Sequence, residues 1–324
     1  MANTKIIKGK IKAITSIKKI TKTMEMVAVS KMKKSVGDVN NLADYIKEIK
    51  FIINKIKSES RESSRLFDNN VSPAQSVYNK KIDEVKLVSH TNEIVIIFAS
   101  NKGLCGSFNT NVYKRTKKLV DENQNIKYAV CFGKFAEKVA RKLNLEIKLS
   151  VLEIEKFLHP SQVFKIENFV RRMYKSGEVN KVHAVFTNFV KMGIFEPRAV
   201  TLYPVDPNLS VYTDTLGQEK DANQQDIHLI NNVSNGKNGK QIYTFEPNLE
   251  VLIEKTIPKI IKMILFSFIL ESRASENSSR SFAMKRANES AGEMLAALKI
   301  KFNKVRQDGI TQEIAEISAG ANAG

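Results

Sequence analysis

Along the first part of the chain, apolar residues recur every three or four positions. Ile7, Ile11, Ile14, Ile17, Ile20, Met24 and Val27 are followed by Val36, Val39, Leu42, Ile46, Ile49, Ile53 and Ile56. This spacing predicts one long helix carrying a narrow apolar stripe. From near residue 4 to near residue 57, at about 1.5 Å per residue, it would run roughly 80 Å. A matching stripe closes the chain, with Ile257, Ile261, Ile264 and Phe268 early and Leu295, Leu298, Phe302, Val305, Ile310, Ile314 and Ile317 late. Between these halves, residues 271–281 (ESRASENSSRS) are nearly all polar. They read either as a loop between two helices or as a helix in wet or subunit-covered surroundings. Two stripes too narrow to bury themselves are most simply satisfied by pairing as a coiled coil. With a central domain joining them, the pair would run antiparallel.

The middle of the chain has another rhythm. Residues 94–99 (IVIIFA) suit a buried strand, followed by a glycine turn and a basic amphipathic helix over 111–120. The pattern repeats with a strand at 128–132, a helix at 134–143, a strand at 145–151, a helix at 161–174 and a strand at 182–189. Strand and helix alternating at this interval predict an α/β domain with a largely parallel sheet. Pro197 and Pro204 bracket a further segment, 198–205, expected as an edge strand. Residues 213–241 are polar and rich in Asn, Gln and Gly, and read as a flexible insertion. The expected organisation is a shaft helix over 1–72, an α/β domain over 73–212, an insertion or linker over 213–245 and a second shaft helix over 246–324.

Charge sharpens this picture. The 324 residues hold 52 Lys and Arg against 34 Asp and Glu, a net +18. Residues 1–34 alone contain ten lysines and one acid, Glu25, so half the net charge sits on a tenth of the chain. Such concentration points to an acidic partner beside the plainer reading of a solvated face. The two cysteines, Cys105 and Cys131, exclude a disulfide framework and fit a reducing compartment. The longest strongly apolar stretch, 263–270, is far short of a membrane-spanning helix. No signal-peptide core follows the first lysines. The first arginine is Arg61, unlike an Arg-rich transit peptide, so the N-terminal segment is expected in the mature fold.

Candidate chemistry is sparse. The turn at 100–107 (SNKGLCGS) falls between a strand and a helix, where a phosphate can sit on helix amides. Gly103 and Gly106 nevertheless lack the spacing of either glycine-rich phosphate signature, which favours a tight turn over a small-ligand cradle. Cys105 has no histidine near it in sequence. His90, His159, His183 and His228 are scattered without metal-ligand spacing, and no pair of carboxylates stands out. No cofactor, metal or catalytic residue is predicted.

Three motifs together resemble the gamma subunit of F-type ATP synthase: residues 20–34 (ITKTMEMVAVSKMKK), the turn Gly103-Leu-Cys-Gly106 with Phe108 and Asn109, and residues 310–317 (ITQEIAEI). Residues 280–285 (RSFAMK) and 302–307 (FNKVRQ) extend the resemblance over both terminal helices and the central domain. It implies a long antiparallel coiled coil of N- and C-terminal helices with a central Rossmann-like α/β domain, and makes 271–281 continuous helix. It implies a non-catalytic rotor shaft, one copy per complex, coupling proton-driven rotation of the membrane c-ring to conformational change at the catalytic beta subunits. The implied partners are the alpha and beta subunits of the F1 ring, the epsilon subunit and the c-ring, at the cytoplasmic face of a bacterial inner membrane. By the same resemblance, Met24, Lys31, Lys33, Lys34 and Arg280 face an acidic lever loop of beta. Arg306, Gln307, Thr311 and Glu313 meet a catch loop of beta. Two features would strain the second helix: Gly309 in its interior, at about 1 kcal/mol, and Pro258, which would kink or restart it. The rival readings are a basic coiled-coil nucleic-acid-binding protein, weakened by the apolar residues interleaved through the basic segment, and a nucleotide-dependent α/β enzyme, weakened by the missing phosphate motif.

Overall fold

A computed structural model of the chain describes residues 2–59, 92–152, 160–204 and 249–322. The expected boundaries near 72, 212 and 245, and the insertion at 213–241, lie outside the described residues. In chain order the elements are α1 (Ala2–Glu59), β1 (Glu93–Phe98), α2 (Phe108–Glu122), β2 (Ile126–Phe132), α3 (Lys134–Lys142), β3 (Glu146–Val151), α4 (Pro160–Lys175), β4 (Lys181–Lys191), β5 (Ile194–Tyr203) and α5 (Leu249–Asn322). They divide into two units. One gathers residues 1–32, 104–106 and 277–324, and the other 33–103 and 107–276.

The sheet unit has strand order β3-β2-β1-β4-β5, with β1 to β4 parallel and β5 antiparallel to β4. A parallel strand is covered on both faces, so it reads as an unbroken apolar run. All of β1 is buried. The period of two sends Ile94, Ile96 and Phe98 into a core shared with Val163, Ile166 and Val170 of α4 and with seven residues of α5 between Ile257 and Ile269. Gly133, between β2 and α3, has φ +98°, and a Cβ there would fall 2.2 Å from the Ala99 carbonyl oxygen, so no other residue fits. The edge strand starts earlier than expected, at Ile194, because β4 and β5 form a hairpin that absorbs Pro197 opposite Thr187.

The early half of the C-terminal stripe joins this core. Ile257, Ile261, Ile264 and Phe268 pack on the sheet. Ile260, Leu265 and Ile269 widen the stripe to the breadth a sheet requires. Phe268 stacks on Phe186 with centroids 3.8 Å apart and meets Phe98 edge-on at 6.4 Å. Fully buried Glu167 of α4 adds polar ties to Arg171 at 2.9 Å, to Lys262 of α5 at 3.5 Å and to the Tyr203 hydroxyl, which donates at 3.3 Å. The helix continues through Pro258, flanked by buried Ile257, Ile260 and Ile261 that offset its missing bond.

In the helical unit, the covered positions of α1 are Ile7, Ile11, Ile14, Thr21, Glu25, Ala28 and Met32. Those of α5 are Met284, Asn288, Ala291, Leu295, Leu298, Phe302 and Val305. Both series step by fours and threes, the heptad of a coiled coil. Lys18 falls in the gap of the first series, and its Nζ lies 3.2 Å from where a Cβ on Gly292 would stand. Farther along the same helices Asp38 acts electrostatically on Arg273, so α1 advances as α5 retreats and the pair is antiparallel. The expected stripe is corrected from Ile17 to Val27, while Val36, Val39 and Leu42 farther on are half-buried. Ile17, Ile20, Met24 and Val27 are 51%, 58%, 37% and 48% exposed. The seam instead takes Thr21, Glu25 and Ala28, because heptad geometry and small side chains decide it more than hydrophobicity does. Ile46, Ile49, Ile53 and Ile56 fall outside the residues whose side chains are described.

A candidate partner interface and the turn after the first strand

The outward positions of α1 form their own heptad line: Ile17, Ile20, Met24, Val27, Lys31 and Lys34, all exposed. An apolar stripe therefore runs into a basic one on a single helix face. Met24, Lys31 and Lys34 are brought together on this line. Lys33, also exposed, is set off it by roughly 200° from Lys31. Lys22 pairs with Glu25 at 3.1 Å, which occupies the one acid of the segment.

On α5, Arg280 is half-buried and donates to Asn277 Oδ1 at 3.1 Å. Arg306, Gln307, Thr311 and Glu313 are exposed, with the Thr311 hydroxyl donating to the Gln307 carbonyl at 2.9 Å. Every residue over 311–319 is exposed, Ile314 and Ile317 included at 61% and 73%. The helix persists through Gly309, where a Cβ would meet nothing within 4 Å. These last turns form no seam with α1, so they present side chains all round.

The glycine turn is built by side chains that fold back on the backbone. Asn109 Oδ1 accepts from the Ser100 amide at 3.2 Å, Asn109 Nδ2 donates to Ser100 Oγ at 2.7 Å, and Ser100 Oγ donates to the Lys102 carbonyl at 2.9 Å. Leu104 and Gly106 take φ +60° and +55°. The Cys105 carbonyl accepts from Ser279 Oγ of α5 at 2.6 Å. The turn is thus a docking point for a helix, which neither a tight turn nor a phosphate cradle anticipates.

The polar stretch 271–281 is continuous helix, and most of it is buried. In doubly wound sheets ligands enter where the strand order reverses, here between β1 and β4 at their carboxyl ends. At the end of β4, the Thr187 amide donates to Ser272 Oγ at 3.2 Å and Ser275 Oγ donates to the Thr187 carbonyl at 3.3 Å. At this edge the backbone of Thr187 is thus engaged on both its amide and its carbonyl by α5. Glu271 beside them is 1% exposed. Burial pushes its carboxyl well above the ordinary range, against opposing pulls from Arg198 and the Phe189 backbone.

Of the remaining candidates, His183 lies within the sheet. His183 Nε2 lies 2.8 Å from Glu93 Oε2 and Nδ1 lies 3.1 Å from Thr201 Oγ1, with Lys181 3.6 Å from Glu93. Burial lowers the imidazole pKa in spite of the carboxylate. The cluster sits at the amino ends of β1 and β4, away from the ligand edge of such sheets. His90, His159 and His228 lie outside the described residues. Burial pushes the Cys131 thiol up to about 12. Among the described residues no group of three or more His, Cys, Asp or Glu could hold a metal. No described helix is long and apolar enough to cross a membrane.

A family model described as ATP synthase matches residues 3–323. The ATP synthase gamma chain of Chlorobium phaeobacteroides is 30% identical, covering 100% of this chain and 99% of the relative. That of Chloroherpeton thalassium is 28% identical over 100% and 98%. Among solved structures, a chain of the Euglena gracilis mitochondrial ATP synthase, OSCP/F1/c-ring, in rotational state 3 has a TM-score of 0.60 at 15% identity, covering 99% of this chain and 94% of that one. A chain of the same organism's ATP synthase rotor in rotational state 1 has a TM-score of 0.57 at 14% identity, covering 95% and 99%.

Proposed function

Because the chain belongs to the ATP synthase gamma-chain family, we propose that it is the central rotor shaft of an F-type ATP synthase, turning within a ring of alpha and beta subunits and carrying torque from a membrane c-ring. The observation that carries this reading is the outward line of α1, where Ile17, Ile20, Met24 and Val27 stay exposed beside a well-formed seam. A helix pair that needed only itself would bury them; a shaft inside a sleeve leaves them for the sleeve.

Met24, Lys31 and Lys34 on the outward line, with Lys33 and Arg280, engage an acidic lever loop of beta. Arg306, Gln307, Thr311 and Glu313, on the uncovered turns of α5, engage a catch loop. Opposite charges at a surface act over a screening length of about 8–10 Å and contribute little to holding a complex. The lysines therefore tune engagement, while assembly rests on the apolar contacts. The chain is non-catalytic: ATP chemistry belongs to beta, and the isolated chain turns over no ATP. Epsilon and the c-ring are the partners of the sheet unit, one shaft serves each complex, and the complex lies at the cytoplasmic face of a bacterial inner membrane.

The test replaces Lys31, Lys33 and Lys34 together by Glu in the assembled complex. Copurification with larger ATP-binding subunits is expected to persist, while ATP-driven proton pumping falls and partly recovers with salt. A chain that copurifies with no such subunits, or binds duplex DNA in a manner abolished by the same substitutions, would overturn the rotor reading.

A further inference from the structure

The rotor reading leaves the glycine turn unexplained. Its central residues Leu104–Gly106 group with residues 1–32 and 277–324, although their neighbours Gly103 and Ser107 belong to the sheet unit. The hydrogen bond from Ser279 Oγ to the Cys105 carbonyl is short, 2.6 Å, and both residues are buried. Gly106 meets the same hydroxyl: a Cβ there would lie 3.1 Å from Ser279 Oγ and 3.8 Å from the Ala283 Cβ. Its φ of +55° also favours glycine. Leu104, 63% exposed, holds φ +60°, a conformation a bulky residue keeps only when its surroundings impose it.

We infer that Leu104–Gly106 is a clasp on the C-terminal helix, with Ser279 and Gly106 as positioning residues that fix the register of α5 against the turn leaving β1. Between the two units the described chain offers few covalent routes: α1, α5 and the two ends of this turn. A helix gripped only by apolar packing can slip along or about its axis. A directional hydrogen bond beside a residue without a side chain admits one register. That torque passes through the clasp rests on the rotor reading; the clasp itself does not.

Cys105 is a built-in probe, because it lies inside the clasp at 2% exposure. Cys131 of β2 is the internal control, wholly buried and with its thiol pushed up to about 12, so it reacts only if the sheet opens. The experiment alkylates the assembled complex with N-ethylmaleimide, reads each cysteine by peptide mass spectrometry, and measures protons pumped per ATP hydrolysed, for wild type, Ser279→Ala and Gly106→Ala. Loss of one buried hydrogen bond should raise Cys105 labelling about tenfold in Ser279→Ala, with Gly106→Ala at least as fast and Cys131 unchanged. Pumping per ATP should fall while hydrolysis continues. Unchanged Cys105 labelling, or Cys105 and Cys131 accelerating together, overturns the clasp. Selective Cys105 labelling with undiminished pumping per ATP overturns its part in coupling and leaves the rotor reading standing. A wild-type complex that does not pump defeats the rotor reading instead, and the labelling still decides the clasp.

Discussion

In the sheet unit Ile94, Ile96, Phe98 and Phe268 have no exposed surface, whereas in the helical unit Ile17 and Ile20 stand more than half in solvent. The two units hold side chains of similar size to opposite ends. Around the sheet, strands buried on both faces and a broad face of α5 close one core. Along the helices the seam is filled by Thr21, Ala28 and Ala291 as much as by leucines, and Ile17, Ile20, Met24 and Val27 of α1 stay exposed. The difference teaches that one unit closes on its own core while the other leaves an apolar face uncovered. Buried α5 in the first unit becomes exposed α5 in the second without a break in the helix.

The contrast is broken most severely at Phe268. Truncating it to Ala removes the ring stacked on Phe186, and should cost the sheet unit about 3–5 kcal/mol; urea unfolding of the full chain measures this. A smaller, pH-dependent effect is expected at Glu271. Burial raises its carboxyl pKa well above the ordinary 4.5, so stability is lost as pH rises from about that value through the raised pKa. Glu271→Gln removes this slope, and its stability advantage over wild type should widen as pH rises. A gap that narrows with pH contradicts a raised carboxyl pKa. Least of all should Ile17→Asn with Ile20→Asn change the stability of the isolated chain, by within about 0.5 kcal/mol, as for surface positions. The same pair should weaken assembly with the ring subunits, and a stability loss comparable to Phe268→Ala would place these residues in a core.

The sheet was legible because its signals are local. The apolar run of β1 and the alternation of strand and helix read correctly, and the error at β5 arose from treating Pro197 as a boundary when an edge strand accommodates it. The helical seam was legible only in its spacing. Hydrophobicity alone cannot separate a seam from an outward stripe when one helix carries both, and it drew Ile17, Ile20, Met24 and Val27 into the wrong one. The polar stretch 271–281 left loop and helix open, and only the resemblance gave continuous helix; its burial follows from Ser272, Ser275 and Ser279, which bond to backbone groups and allow close packing. Met24, Lys31 and Lys34 came from family resemblance, and the heptad line that joins them is visible only once the seam is known. Nothing in the sequence marked Ser279 as the partner of the turn, since the two are 174 residues apart.

The central claim is that this chain turns inside its complex. Exposed Lys117 on α2, replaced by Cys, offers an accessible thiol beside two buried ones. With the surrounding ring fixed to a surface and a probe on that thiol, ATP should drive continuous rotation of the probe in one direction. Sustained ATP turnover with a stationary probe would contradict the account.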